Sequence, residues 1–228
     1  MTASRVEIER VLAENEFQYQ RIELPYGLTT AGKDRRPVAD IVLPDDLAGR
    51  SVLDIGCAIG FFSFEAERRN AGKVVGTEVH RKRLRQATVL KSVFDSRVEL
   101  ELRDVFREPP AEPFDLVLAL NVIHHLSDPF AALERLAAMT AWRLALEFPT
   151  FDSPKYRRQY ALPPAWSWQG QPLVGVMNAR SKKAKKFVFA PAAIEHSLMS
   201  HHEQPLFASI RFVPSPEEGR MIAICEKS

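Results

Sequence analysis

Two patterns of hydrophobic and polar residues divide the chain. From Ser51 onward, short apolar runs alternate with longer amphipathic stretches. The runs are Ser51–Ile55, Lys73–Glu78, Val98–Leu102, Phe114–Val122 and Arg143–Pro149. Strands alternating with helices predict a parallel sheet in an α/β protein. Phe114–Val122 is almost continuously apolar, as a strand buried on both faces should be. The stretches between predict helices from about Phe61, over Lys82–Phe94, and from Pro129 to Met139 behind an Asp128 cap. Near the end, Phe207–Val213 and Arg220–Cys225 flank a Pro- and Gly-rich turn and predict an antiparallel hairpin.

The flanking regions are less regular. Residues 4–18 predict an amphipathic helix with a stripe of Val6, Ile8, Val11 and Leu12, opened by a Ser4/Glu7 capping box. Residues 22–34 are punctuated by Gly and Pro and read as a loop with a short strand, ahead of a helix over Pro37–Leu43. Residues 151–186 break the alternation; they carry Tyr156, Tyr160, Trp166, Trp168 and the basic run Arg180, Lys182, Lys183, Lys185, Lys186. Pro191–Met199 reads as a further helix. The implied organisation is an N-terminal arm or lid (1–47) and a main domain (48–228), with an insertion at about 151–186 that caps the substrate site.

Composition narrows the class only slightly. A chain of 228 residues with 46% hydrophobic content can bury a full core. A net charge of +2 neither demands nor excludes an anionic partner. Two cysteines, Cys57 and Cys225, offer no metal spacing and no disulfide framework, which fits a cytoplasmic setting. No run suits a membrane span or a signal peptide.

Candidate chemistry concentrates in Val52–Ala66, where a strand runs through Gly56-Cys57-Ala58-Ile59-Gly60 into a helix. Glycine permits positive φ and close ligand approach, and a helix start presents free N–H groups. A dinucleotide fingerprint would read G-x-G-x-x-G. Here the spacing is G-x-x-x-G, with Asp54 two residues ahead. A carboxylate there disfavours a pyrophosphate and favours an ammonium or sulfonium. The pattern resembles motif I of the class I S-adenosylmethionine (SAM) methyltransferases, with Ala58 where a glycine is usual. Glu78, 18 residues past Gly60, ends the next strand and is placed to accept from ribose hydroxyls. A second match is Phe114-Asp115-Leu116-Val117 followed by Asn121-Val122-Ile123-His124-His125-Leu126-Ser127-Asp128-Pro129.

The resemblance covers residues 48 to 226. It implies an α/β fold with a Rossmann-like, doubly wound, seven-stranded sheet and a C-terminal antiparallel hairpin. It implies SAM as cofactor and S-adenosylhomocysteine (SAH) as product. Cofactor contacts are expected at Asp54, Gly56, Cys57, Ala58, Gly60, Phe61, Glu78, Val79, Asp104, Val105 and Asn121. In the family, an acid at the place of Asp104 accepts from the adenine amino group and the next residue packs on the base. No metal is expected; His196, His201 and His202 read as surface.

Methyl transfer needs alignment of acceptor and donor, and a base where the acceptor holds its proton. Candidate bases are His124, His125, Glu147 and Tyr160, and on an extended turn the two histidines cannot both face one pocket. The expected function is methyl transfer to an O or N atom of a small polar or aromatic acceptor, by a monomer or homodimer. One alternative is a tRNA wobble-uridine methyl or carboxymethyl transferase, which 24–32 and 49–69 resemble, with the basic run contacting phosphates. A non-catalytic subunit of the same fold and a nucleotide-dependent dehydrogenase are further alternatives.

Overall fold

The computed structural model describes residues 3–160, 170–177, 186–200 and 203–228. The chain forms two units, Met1–Pro110 and Ala111–Ser228.

The first unit opens with helix α1 (Arg5–Glu14), and the Ser4/Glu7 capping box is formed. The helix ends four residues before the expected boundary, at the Asn15 cap, where Asn15 Nδ2 donates to Val11 O at 2.9 Å. Of the expected stripe only Ile8 is buried, and Val6 is 74% exposed. Two short parallel strands follow, β1 (Gln20–Arg21) and β2 (Lys33–Asp34), then α2 (Arg36–Val42), started by Pro37 and buried through Val38, Ala39 and Val42.

Two β-α units and a third strand then run β3 (Ser51–Ile55), α3 (Phe61–Arg68), β4 (Lys73–Glu78), α4 (Arg81–Phe94) and β5 (Glu99–Leu102). The strands are parallel in the order β3-β4-β5. β4 is buried beyond its first residue, while β5, outermost in this set, leaves Glu99 and Leu102 exposed. Gly76, in mid-β4, lets α3 lie close: an added Cβ would stand 2.8 Å from Ser63 Oγ, 3.0 Å from Leu100 Cδ2 and 3.2 Å from Cys57 Sγ.

The second unit carries β6 (Phe114–Leu120), α5 (Pro129–Ala138), β7 (Thr140–Pro149), α6 (Pro154–Tyr160), the hairpin β8 (Val174–Met177) and β9 (Lys186–Phe189), α7 (Pro191–Glu195), β10 (Ser209–Pro214) and β11 (Arg220–Glu226). Its sheet order is β10-β11-β7-β6, with β6 parallel to β7, and β10 and β11 antiparallel. The terminal hairpin is therefore present, and the central sheet has seven strands. β6 stops short of Val122 because Asn121 turns left-handed, at φ 63°. The expected helix from Pro191 is α-helical only to Glu195 and continues as a π turn over His196–Ser200. The insertion holds α6 and the β8–β9 hairpin, whose β9 packs against β7 and the 3₁₀ turn Ile123–His125.

Among the described residues, no helix is long and apolar enough to cross a membrane.

Gly76→Ala is expected to lower unfolding free energy by roughly 1–3 kcal/mol, the cost of overpacking a tight site. Chemical denaturation measures it, and an unchanged midpoint would contradict this reading of the α3–β4 contact.

Candidate functional site

The turn after β3 is held from every side. Gly56, Ala58 and Gly60 take φ values of 70°, 55° and 95°. Gly60 has no room for a side chain, since a Cβ would meet the Phe64 ring at 2.7 Å. Each N–H from 56 to 61 has a protein acceptor. Gly56 and Cys57 donate to Thr77 O at 2.8 and 2.9 Å, and Gly60 donates to Cys57 O at 2.9 Å. Ala58 donates to Glu78 Oε2 at 3.1 Å. Ile59 and Phe61 donate to Gln20 Oε1, from the arm, at 3.2 and 3.3 Å. In the turn itself, from 56 to 61, the expected free N–H groups are therefore taken, three by backbone carbonyls and three by the Glu78 and Gln20 side chains.

Two buried carboxylates flank this turn. Asp54 is 2% exposed and its Oδ2 accepts from Ser63 Oγ at 2.7 Å. Burial pushes its pKa up to about 7; the Ser63 hydrogen bonds act the other way, and the nearby Glu78 carboxylate adds to the rise. Glu78, at the carboxyl end of β4, uses Oε1 to accept from Val79 N and His80 N at 2.8 and 2.9 Å. Each carboxylate oxygen has two acceptor sites, so these contacts leave capacity for a ribose hydroxyl. Arg83 stands 4.0 Å from Glu78 Oε2 and stacks over Tyr19 at 4.7 Å. Next to the buried Glu78, Val79 is 57% exposed, and Leu102, opposite Glu78 in the ladder, is 41% exposed. A carboxylate beside bare apolar surface suits a nucleoside, with hydroxyls at one end and a flat base at the other.

The remaining first-unit candidates divide. Asp104 is half-buried; its Oδ1 accepts from Phe106 N at 3.1 Å and its Oδ2 lies 3.4 Å from Arg107 Nε. Val105, Cys57 and Phe61 are buried. Burial, then the Asp54 and Glu78 charges, push the Cys57 thiol well above its ordinary range, so it is a packing group rather than a nucleophile.

The residues fit SAM better than a dinucleotide. A diphosphate needs free amides or cations at the glycine turn. Here the amides from 56 to 61 are committed, the buried charges beside them are Asp54 and Glu78, and the cation near them, Arg83, stands against Glu78. The same charges favour a ligand bearing a sulfonium and an ammonium.

In the second unit, Asn121, His124, His125 and Glu147 lie at the carboxyl ends of β6 and β7. Glu147 is fully buried. Its Oε2 accepts from Asn121 Nδ2, its Oε1 accepts from Ser215 Oγ at 2.5 Å, and Arg220 Nη1 donates to Asn121 Oδ1. His124 and His125 occupy a 3₁₀ turn, not the extended turn expected, with ring centroids 4.0 Å apart. His124 is buried and His125 exposed. Tyr160 ends α6, and its side chain lies outside the described residues, as do Trp166, Trp168, Arg180, Lys182, Lys183, Lys185, His201 and His202. Lys186 opens β9. His196 is exposed, and no group of His, Cys, Asp and Glu among the described residues is arranged to hold a metal.

Sequence reasoning missed Gln20, Ser63, Gly76, Ser215 and Arg220. Ser63 left a trace, as the one polar residue in an apolar run, Phe61-Phe62-Ser63-Phe64. Gly76 left another, since glycine inside a strand marks close approach. Gln20, Ser215 and Arg220 left none.

Two measurements follow from this geometry. An acid whose pKa is raised by folding stabilises the fold while protonated, so the Asp54 contribution is complete below about pH 4 and lost as pH rises through about 7. The stability of the wild type minus that of Asp54→Asn should fall across that window, by an amount on the order of a few kcal/mol; melting curves at several pH values check it, and a flat difference refutes it. Ala58 sits where glycine is favoured, so Ala58→Gly should raise unfolding free energy by about 0.5–1 kcal/mol in denaturant titration.

The comparisons with known proteins agree with this geometry. Residues 53–141 match the family model described as a methyltransferase domain. A tRNA U34 carboxymethyltransferase of Campylobacter hominis is 36% identical over 92 residues, 40% of this chain and 32% of that protein. A ubiquinone biosynthesis O-methyltransferase of Rhodopseudomonas palustris is 36% identical over 97 residues, 42% of this chain and 37% of that protein. The chain thus spans about a third of the length of these curated relatives. Among solved structures, the SAH-bound N-terminal domain of EvdMO1 superposes with a TM-score of 0.72 at 18% identity, over 100% of this chain and 98% of that one. SAH-bound magnesium protoporphyrin IX methyltransferase from Synechocystis gives 0.60 at 19% identity, over 85% and 81%. At these identities the structures speak for the fold alone: the chain has the class I methyltransferase fold, and within it residues 53–141 match a methyltransferase domain.

Proposed function

We propose that this methyltransferase moves a methyl group from SAM to an oxygen or nitrogen of a small polar or aromatic acceptor. The observation that carries the reading is the glycine turn flanked by two buried carboxylates, with every N–H from 56 to 61 already bonded within the protein. Such a turn recognises a cationic nucleoside by shape and charge. When bound, SAM supplies an activated methyl on a sulfonium, with SAH as leaving group.

The protein's own residues then bind, orient and take a proton. Glu78 accepts from the ribose, Val79 lies against the base, and Asp54 holds the α3 start through Ser63 while adding negative potential. Of the candidate bases, Glu147 is sealed and has both oxygens engaged. His125 is exposed, and histidine exchanges protons near neutral pH, so His125 is the preferred base for an acceptor that arrives protonated. The insertion, whose β9 packs on the turn carrying His125, is the proposed cap. A cytoplasmic setting would keep the buried Cys57 and Cys225 as free thiols.

The likeness to tRNA U34 carboxymethyltransferases favours a second reading, an RNA acceptor held by the run at 180–186. It predicts RNA affinity that falls steeply with salt and collapses when Lys182, Lys183, Lys185 and Lys186 become Ala. The small-acceptor reading predicts no measurable RNA binding at about 0.15 M salt.

Isothermal titration tests the donor. SAH should bind and NAD should not, and Glu78→Gln should weaken SAH by about tenfold or more, the loss of a charge-assisted hydrogen bond of roughly 1.5–3 kcal/mol. NAD binding in place of SAH would defeat the assignment.

A further inference from the structure

Gln20 is a buried polar residue on the N-terminal arm, 5% exposed, and the arm holds it firmly. Its backbone O accepts from Thr30 Oγ1 at 2.7 Å, and the same hydroxyl accepts from Ile22 N at 2.8 Å. Gly32 packs so closely that a Cβ there would lie 2.6 Å from Gln20 N. Neighbouring arm residues reach α4: Gln86 Nε2 donates to Glu16 O at 2.9 Å, and Arg83 stacks over Tyr19. The side chain of Gln20 thus arrives at the glycine turn from a fixed backbone.

Its carboxamide is half used. Ile59 N–H and Phe61 N–H both point at Oε1, which fixes the amide's orientation, since an NH₂ cannot accept from either. The Nε2 group must then face away from the turn. It has no acceptor among the described residues, and it is not one of the sealed polar atoms that lack partners, so it touches solvent. A residue this buried, showing only an unpartnered donor, gains from an acceptor that arrives with a ligand.

We propose that Gln20 is a positioning residue that links the turn to the amino-acid end of SAM: its oxygen holds the Ile59 and Phe61 N–H groups, and its Nε2 donates to the ligand's carboxylate. The inference rests on the donor reading above. A neutral donor suits this place. Asp54 and Glu78 attract the ammonium and sulfonium but repel a carboxylate, and the turn's own N–H groups are occupied. The Gln20 amide passes the donor character of the turn outward by one group, through a polarised chain of hydrogen bonds. The amino-acid carboxylate is the part of SAM that asks for such a donor. The ribose and adenine offer only neutral acceptors.

Isothermal titration of SAH and of 5′-methylthioadenosine, which keeps the nucleoside and lacks the amino acid, separates the roles. Gln20→Glu retains an oxygen for Ile59 and Phe61 and loses the donor; Gln20→Ala loses both. Both variants should bind SAH at least tenfold more weakly, and Gln20→Glu should bind 5′-methylthioadenosine within twofold of wild type. Equal losses for the two ligands in Gln20→Glu, or no loss of SAH affinity in either variant, would overturn the proposal and leave SAM as donor intact. A wild type that binds neither ligand would overturn the donor reading and this proposal with it.

Discussion

The site depends on how the backbone amides of the turn after β3 are satisfied. A buried N–H without a partner costs about as much as a lost hydrogen bond, so a glycine turn must either keep its amides for a ligand or find them acceptors. This protein does the second. Thr77 O takes two, Glu78 takes one, Gln20 takes two, and the turn closes on itself with the last. The turn is thereby rigid before any ligand arrives. What it offers is a small-residue surface and the field of two carboxylates. That distinguishes it from a phosphate-binding loop of similar outline more sharply than glycine spacing does.

The packing around the turn follows from the same need. Asp54 is buried at the end of β3, and the Ser63 hydroxyl on the first turn of α3 gives it a partner. Ser63 in turn stands where a side chain on Gly76 would be, so β4 carries none at that point. Ala58 holds a left-handed conformation that costs a non-glycine residue about 1 kcal/mol, and its N–H to Glu78 offsets part of that. Asp54, Ser63, Gly76, Ala58 and Glu78 therefore constrain one another.

The second unit shows a different use of a buried acid. Glu147 has Asn121 on one oxygen and Ser215 on the other, and Arg220 reaches the network through Asn121. Removing one member of such a buried network strands the others. Asn121 ends β6 in the left-handed region, and Glu147 O accepts from its backbone N–H at 2.8 Å. A carboxylate at the edge of a sheet looks like a base in sequence. Here its partners make it an anchor that fixes the bend where β6 gives way to the histidine turn.

Much of this was legible in the sequence because it is local. Apolar runs set β3, β4, β6 and β7, Pro129 behind Asp128 started α5, and Ser4 with Glu7 capped α1, since each depends on residues a few positions apart. The spacing of Asp54, Gly56, Gly60 and Glu78 likewise reported a strand-turn-helix-strand unit with acids at two strand ends. The tertiary structure decided which groups are free. Gln20 meets its partners across 39 and 41 residues, Asn121 and Arg220 meet across 99, and no periodicity records such pairs. Hydrogen bonds satisfy whatever donor the fold brings within about 3 Å, whatever its distance along the chain. The sequence therefore determined where the site lies, and folding alone determined that its amides are closed, Glu147 is sealed and Gln20 stands at its edge.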